Sequence, residues 1–321
     1  MFKYLKSVRE NYYLSAILAA IARPIHSASI RLSAQIERKV KRNSTTIRLP
    51  NGRLLRVARD AGVNMASLLF WKGLDGYEAQ TSEIVRYFVE RISTFVDVGA
   101  NYGFYSLLAA LWNPGVRVVA FEPVPPIYDG LVRNIKLNGL DNQISAQQFA
   151  LADRTGTATL YLPRTEGRDY ETTGTLVSDS WQSRKHSPEI TVETMRFDDF
   201  ERAHSMKVDL IKIDVEDFEA SVLAGMEQTV RRDRPFIICE ILPRHHRNER
   251  TRQIVESLGY TPYWITRAGL IRVSRFDFER RSSQDFLLSP VSVPGEVITD
   301  MDVFLASRSS NNTVSVDLHS R

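Results

Sequence analysis

The sequence predicts an α/β fold with a doubly wound, mostly parallel sheet, and three apolar segments that each end in an acid carry this prediction. These strand-like runs end at Asp97, at Glu122 and at Asp214. A helical pattern follows each run, so strands and helices alternate along this part of the chain. Repeated strand–helix units favour a parallel sheet with helices on both faces.

The first strand end is followed by a loop of small residues, with the sequence Asp97-Val98-Gly99-Ala100-Asn101-Tyr102-Gly103. Small residues let a ligand approach the backbone, and the N-terminus of the helix that follows offers unpaired N–H groups. The spacing differs from the dinucleotide fingerprint Gly-x-Gly-x-x-Gly, and an acid precedes the first glycine. The loop therefore predicts a nucleotide-like ligand but disfavours a nicotinamide.

The second and third strand ends complete the predicted crevice. The run 116–121 leads into Glu122-Pro123, and an acid that closes the second strand of a βαβ unit is placed to bind ribose hydroxyls. The run 209–216 ends in Asp214 and Glu216. Because the carboxyl ends of parallel strands meet at one edge of a sheet, we expect these acids to share a cleft.

These motifs, together with Val222-Leu223-x-Gly225, resemble the FkbM-type family of S-adenosylmethionine-dependent methyltransferases over roughly residues 90–260. One departure is Asp217, where relatives commonly carry glycine. The resemblance implies a class I methyltransferase fold, a Rossmann-like sheet of seven strands with the last one antiparallel. It also implies S-adenosylmethionine as cofactor and O-methylation of a hydroxyl on a sugar, glycolipid or polyketide-like metabolite.

On this interpretation, the loop and the acids of the first strands bind the cofactor. Asp97 orders the glycine turn or meets the cofactor ammonium, with helix capping as the alternative. The segment 144–151 is predicted as the third strand, and Asp153 after it either reaches adenine or belongs to a plain turn. The predicted cofactor-binding residues are Asp97, Gly99, Ala100, Asn101, Gly103, Glu122 and Asp153.

Methyl transfer to a hydroxyl needs alignment of the acceptor oxygen with the sulfonium methyl, a pocket that excludes water, and a general base. The predicted catalytic residues are Asp214, Glu216 and His245, with the alternative that Glu216 and Glu219 only cap the helix that starts near Phe218. The predicted acceptor side includes Glu219 and Glu240. It also includes Glu78, which either resembles a glutamate that the family places near the site or is an acid at the start of the domain's first helix. A metal held by Asp214, Glu240 and His245 lacks a recognisable ligand spacing, so no metal is predicted.

The charge and cysteine content of the chain indicate which binding partners and which cellular compartment to expect. The chain of 321 residues has a net charge of +4, but residues 1–48 carry +8 and the remainder −4. A catalytic domain without a positive face argues against nucleic-acid binding. Cys239 is the single cysteine, which excludes an intrachain disulfide and favours a reducing, cytoplasmic compartment.

Three segments are predicted: a basic amphipathic helical extension over 1–45, a methyltransferase domain over 46–308 and a loose tail over 309–321. The apolar run 12–22 in the extension is about half the ~20 residues that span a bilayer. The extension packs on the domain or a partner subunit of a homo-oligomer, lies on an anionic membrane, or is a signal peptide. The polar stretch 163–189 is interpreted as a lid, a substrate wall or surface disorder.

Two rival functions come from other classes of protein. A nicotinamide oxidoreductase would need the missing third glycine of its fingerprint. A non-catalytic cofactor-binding or scaffold protein would keep Asp97 and Glu122 but need no base. The acids between Asp214 and Glu219 therefore favour an enzyme that acts on a small-molecule or glycan acceptor.

Overall fold

A computed structural model describes residues 44–58, 63–161, 189–241, 245–266, 269–273, 285–290 and 301. The extension before residue 44, most of the 163–189 stretch and the tail over 309–321 lie outside these residues. Within the described ranges, no helix is both long enough and apolar enough to cross a bilayer.

The helices of the described part are α1 (Val63–Lys72), α2 (Ala79–Val89), α3 (Phe104–Trp112), α4 (Pro125–Asn138), α5 (Phe197–His204), α6 (Glu219–Gly225), α7 (Glu227–Asp233) and α8 (His245–Ser257). A short 3₁₀ helix, Gly73–Gly76, joins α1 to the segment before α2. The strands are β1 (Thr45–Arg48), β2 (Leu54–Val57), β3 (Thr94–Val98), β4 (Arg117–Phe121), β5 (Ile144–Gln147), β6 (Ala150–Leu151), β7 (Gly156–Tyr161), β8 (Glu189–Met195), β9 (Leu210–Ile213), β10 (Phe236–Glu240), β11 (Tyr260–Thr266), β12 (Gly269–Arg272) and β13 (Asp285–Pro290).

The central sheet has the strand order β12-β11-β13-β10-β9-β3-β4-β5. Strands β5, β4, β3, β9 and β10 run parallel, and β13 is inserted antiparallel between β10 and β11. This is the predicted class I methyltransferase sheet with an eighth strand, β12, added at one edge. The strand order reverses between β3 and β9, and ligands of doubly wound sheets bind at such a switch point.

Alternate residues of each central strand point to opposite faces, as the period of two requires. In β3, Phe95 packs with α2, α3 and α4, whereas Val96 packs with α5, α6 and α8. The sheet is therefore covered on both faces, which explains why its strands are continuous apolar runs in the sequence. Pro50-Asn51-Gly52 between two short apolar segments predicts a hairpin, and β1 and β2 form one in antiparallel pairing. Gly139 is well placed in the sequence as a helix C-cap, and it is the left-handed C-cap of α4.

The structure corrects the prediction of the third strand. Strand β5 ends at Gln147, whereas Ala150 and Leu151 pair with β8 in a separate sheet of order β6-β8-β7. Apolar and polar residues alternate from Ile144 to Gln147, and nothing in this pattern shows that Ala150 and Leu151 pair with a different sheet. Helix α1 was not predicted. The sequence also predicts a strand over residues 302–306, which lie outside the described part of the structure.

Candidate functional site

The predicted strand ends meet at one edge of the central sheet. Val98 of β3 is in register with Phe121 of β4 on one side and with Ile213 of β9 on the other. Cys239 of β10 is likewise in register with Ile213. The acids that follow these strands therefore line a common cleft at the switch point.

The glycine loop after β3 is shaped by close packing against β9. Gly99 has φ +77°, and a Cβ built on it would lie 1.9 Å from the carbonyl oxygen of Asp214. Only glycine fits this contact in a left-handed backbone. Gly103 has φ +89° and begins α3, while the N–H groups of Gly99 and Ala100 both donate to the Phe121 carbonyl at 3.0 and 2.9 Å.

Glu122, the residue after β4, contacts the glycine loop through its carboxylate. One carboxylate oxygen accepts the N–H of Asn101 at 3.0 Å and the other accepts the N–H of Val124 at 2.9 Å. Asn101 is itself left-handed, with φ 53°. Burial raises the pKa of Glu122 to about 7, and the two backbone hydrogen bonds oppose that rise. A carboxylate has about four acceptor positions, so Glu122 retains acceptor capacity toward the cleft.

Asp97 is buried within β3 beneath the first turns of α3. Its Oδ2 accepts a hydrogen bond from Ser106 Oγ at 2.6 Å. Burial raises its pKa, and the nearby Lys212 opposes the rise. Asp97 thus binds the first turn of α3 through Ser106, a contact of the kind that the helix-capping alternative predicts.

Lys212 is the centre of a buried charge cluster that the sequence did not reveal. It is in register with Asp97 across the β3–β9 pair and is only 2% exposed. Because side chains alternate along strands, Asp214 and Lys212 point to the same face as Asp97. Glu240 and its cross-strand partner Asp285 lie on the neighbouring strands β10 and β13. Lys212 therefore sits on a face that carries acids from four strands or strand ends.

The acids around Lys212 differ in their affinity for a proton. Lys212 Nζ lies 2.9 Å from Asp214 Oδ2 and, with a hydrogen bond from Glu240, holds the pKa of Asp214 below its usual value. The charge of Asp214 and burial raise the pKa of Glu240 well above its usual value. Of this pair, Asp214 is therefore the stronger acid.

Glu78 reaches the same cluster from the other side of the cleft. Its Oε2 accepts the Tyr105 hydroxyl at 2.5 Å, and Tyr105 lies in the first turn of α3. The Lys212 ammonium lies 4.6 Å from the centre of the Tyr105 ring. Glu78 is an exposed residue that immediately precedes α2, where its backbone is left-handed with φ 42°.

The turn after β9 is strained. Glu216 and Asp217 have φ values of 52° and 79°, a left-handed pair without glycine. The N–H of Asp217 donates to Glu219 Oε1 at 3.0 Å, so Glu219 closes this turn at the start of α6. Burial raises the pKa of Glu219 to about 8. This contact supports the predicted capping alternative for Glu219.

We expect Asp217→Gly to stabilise the protein by about 1 kcal/mol, because glycine adopts the left-handed region without the strain of a Cβ. Urea unfolding of the variant against the native chain measures this difference. Asp141→Gly, at an exposed turn without positive φ, is the control and should lower stability through the added freedom of the unfolded chain. A loss of stability in Asp217→Gly would show that its carboxylate outweighs the strain.

The remaining predicted residues lie away from this contact network. Asp153 lies past β6, where its carboxylate is 3.4 Å from Arg250 and its N–H donates to Ser221 Oγ. It does not follow the third strand of the central sheet, since that strand ends at Gln147. His245 is the first residue of α8, and its side chain is outside the described part of the structure.

Sequence reasoning missed Lys212, Tyr105 and Asp285. Asp285 accepts the Thr81 hydroxyl at 2.7 Å and is one of the charges that act on Lys212. A lysine inside the apolar run 209–216 was the one available signal, because a buried charge needs partners. Which partners it has depends on cross-strand register.

A cation could be considered at Asp214, Glu216 and Glu240, whose carboxylate oxygens lie within 4.8 Å of one another. Lys212 Nζ already lies 2.9 Å from Asp214 Oδ2 and compensates the charge of that carboxylate. No metal is therefore assigned to this group.

Comparison with known proteins gives a family match over the same region. The profile described as Methyltransferase FkbM domain matches residues 97–262, which is more than half of the chain. Methyltransferase sdnD from Sordaria araneosa is 32% identical over 160 residues, covering 41% of this chain and 60% of the relative. The 31-O-demethyl-FK506 methyltransferase FkbM from Streptomyces tacrolimicus is 33% identical over 153 residues, covering 41% of this chain and 58% of the relative. The matches thus span less than two thirds of these relatives.

Among solved structures, a Methyltransferase FkbM from Methylobacillus flagellatus KT overlaps with a TM-score of 0.42 at 13% identity, covering 72% of this chain and 56% of that one. The METTL16 MTase domain overlaps with a TM-score of 0.41 at 13% identity, covering 77% and 87% of the two chains. These overlaps are partial, and the strand order given above defines the fold independently of them.

Proposed function

Because this chain belongs to the FkbM family of methyltransferases, we propose that it transfers a methyl group from S-adenosylmethionine to a hydroxyl oxygen of a small-molecule or glycan acceptor. The observation that carries the proposal is the buried Glu122 carboxylate, fixed by two backbone N–H groups beside the glycine loop at the switch point.

The described residues fit this donor. Glu122 offers acceptor capacity for ribose hydroxyls, and the left-handed turn at Gly99 brings backbone rather than side chains to the cleft. The loop carries two glycines where the nicotinamide fingerprint requires three, which argues against an oxidoreductase. When bound, S-adenosylmethionine supplies an electrophilic methyl group on a sulfonium sulfur.

The acidic side of the cleft favours a neutral, hydroxyl-bearing acceptor. Asp214 is held as an anion by Lys212, and Glu216 follows on the same strained turn. Carboxylates accept hydrogen bonds from hydroxyls and repel an anionic acceptor. The name of the Streptomyces relative also places its methyl group on an oxygen. A scaffold protein that only binds cofactor would need no general base, so the acids of this cleft favour an enzyme.

A labelled-methyl experiment tests this proposal. The purified protein is incubated with S-adenosylmethionine labelled on its methyl group and a total cell extract, and the labelled products are identified by NMR. We expect label on an oxygen atom of one small-molecule or glycan product. Label on nitrogen or carbon would contradict the acceptor class, and no enzyme-dependent label would contradict methyl transfer.

A further inference from the structure

We propose that Glu78 is the general base that takes the proton from the acceptor hydroxyl, an inference that rests on the proposed methyl transfer. Three features of the structure select it: its exposure immediately before α2, its hydrogen bond to Tyr105 at the start of α3, and the contacts that join Tyr105 to Asp214 through Lys212.

The position of Glu78 is fixed from the donor side. Tyr105 is the second residue of α3, the helix that begins directly after Gly103 of the glycine loop. Its hydroxyl donates to Glu78 at 2.5 Å, and the rings of the preceding residues, Phe104 and Tyr77, pack at an angle of 54° with their centres 4.6 Å apart. These two adjacent contacts attach the segment before α2 to the helix terminus that faces the donor.

The other acids of the cluster are less suited to accept a proton. Asp214 is stabilised as an anion by Lys212 at 2.9 Å, which makes it a weak base. Glu240 is hydrogen-bonded to Asp214, so its carboxyl group is already engaged within the cluster. Asp97 and Asp285 are buried, with hydrogen bonds from Ser106 and Thr81. Glu78 is exposed, and among the described residues Tyr105 is the side chain that donates a hydrogen bond to it.

The charges that face Glu78 give it a suitable affinity for a proton. Burial raises the pKa of Glu78 to about 7, and Asp285 and Asp214 act in the same direction. Lys212 and the hydrogen bond from Tyr105 act against the rise. A general base works best when its pKa lies near the working pH, and Glu78 meets this condition.

The proposed step moves one proton and one methyl group. Glu78 takes the hydroxyl proton and becomes a neutral acid, while a lone pair of the acceptor oxygen forms the new bond to the methyl carbon. The electron pair of the broken carbon–sulfur bond stays on sulfur, which leaves a neutral thioether. The proton on Glu78 then returns to solvent, to which this residue is exposed.

Glu78→Gln tests the assignment, with Glu193→Gln on exposed strand β8 as the matched control. The rate of label transfer from S-adenosylmethionine into the cell extract should fall about 100-fold or more in Glu78→Gln, because a general base typically accelerates a reaction by at least that factor. Calorimetric binding of S-adenosylhomocysteine should stay unchanged in both variants. Tyr105→Phe should move the pH profile of the rate to higher pH, because it removes a hydrogen bond to the carboxylate.

Unfolding by urea gives a readout that needs no acceptor. A carboxyl whose pKa is raised in the folded state from 4.5 to about 7 makes stability fall as pH rises through that window. Glu78→Gln lacks this titration, so its stability relative to the native chain should rise between those pH values. Glu193→Gln should show no such trend.

A full rate in Glu78→Gln, a loss of S-adenosylhomocysteine binding in that variant, or a pH-independent stability difference would each overturn the assignment. If the native chain itself transfers no label, the proposed function fails instead. The unfolding comparison then still reports whether Glu78 titrates as the structure indicates.

Discussion

Gly99→Ala is expected to abolish donor binding and to lower the free energy of unfolding by roughly 2–5 kcal/mol, combining about 1–2 for the left-handed backbone and about 1–3 for overpacking. The added Cβ would lie 1.9 Å from the Asp214 carbonyl oxygen, a backbone atom that cannot swing aside. The loop must then separate from β9, which displaces the N–H groups that Glu122 holds. Urea unfolding and calorimetric titration with S-adenosylhomocysteine measure the two effects.

Gly139→Ala is the matched control for this variant. Gly139 is also left-handed, with φ +67°, but a Cβ added to it would have no neighbouring atom within 4 Å. The free energy of unfolding of Gly139→Ala should therefore fall only by the backbone contribution of about 1–2 kcal/mol. This variant should bind S-adenosylhomocysteine as the native chain does. Equal losses of stability in Gly99→Ala and Gly139→Ala would show that the contact with the Asp214 carbonyl does not contribute to the destabilisation.

Glu122→Ala is expected to weaken S-adenosylhomocysteine binding about tenfold or more, since hydrogen bonds to a charged group are worth about 1.5–3 kcal/mol and each ~1.4 kcal/mol is tenfold. It also leaves the N–H groups of Asn101 and Val124 without their acceptor. Calorimetry measures the binding. Glu193→Ala, at an exposed position, should bind as the native chain does.

The pH dependence of binding gives a second test of Glu122. Its pKa is raised to about 7, so lowering the pH through 7 protonates it and removes acceptor capacity from the ribose site. Binding of S-adenosylhomocysteine to the native chain should therefore weaken as the pH falls below 7. Glu122→Ala should lose that part of the dependence. Undiminished binding by Glu122→Ala would remove Glu122 from the donor site.

The side of the cleft that we propose binds the donor could be predicted from the sequence, because its residues stand at strand ends that a local pattern reveals. Asp97, the two glycines and Glu122 each stand at the end of an apolar run, and parallel strands bring such ends to one edge. Gly225 of the Val222-Leu223-x-Gly225 motif is required by a close contact. A Cβ there would lie 1.9 Å from the Ala152 carbonyl oxygen, so α6 can pack on this segment only with glycine.

The acceptor side could not be predicted, because its residues meet through packing and register. Lys212 faces Asp97 only because β3 and β9 pair in one particular register. Glu78 reaches Lys212 through Tyr105, and that contact depends on how α2 and α3 lie on the sheet. The third strand was misassigned for the same reason, since strand pairing and not the run of apolar residues separates β5 from β6.

The identity of the methyl donor is best tested by a calorimetric titration of the purified protein with S-adenosylhomocysteine and, separately, with NAD. We expect that S-adenosylhomocysteine binds one molecule per chain, that Glu122→Ala weakens this binding, and that NAD gives no heat of binding. Binding of NAD in place of S-adenosylhomocysteine, or no binding of S-adenosylhomocysteine at all, would contradict the assignment of this cleft to a methyl donor.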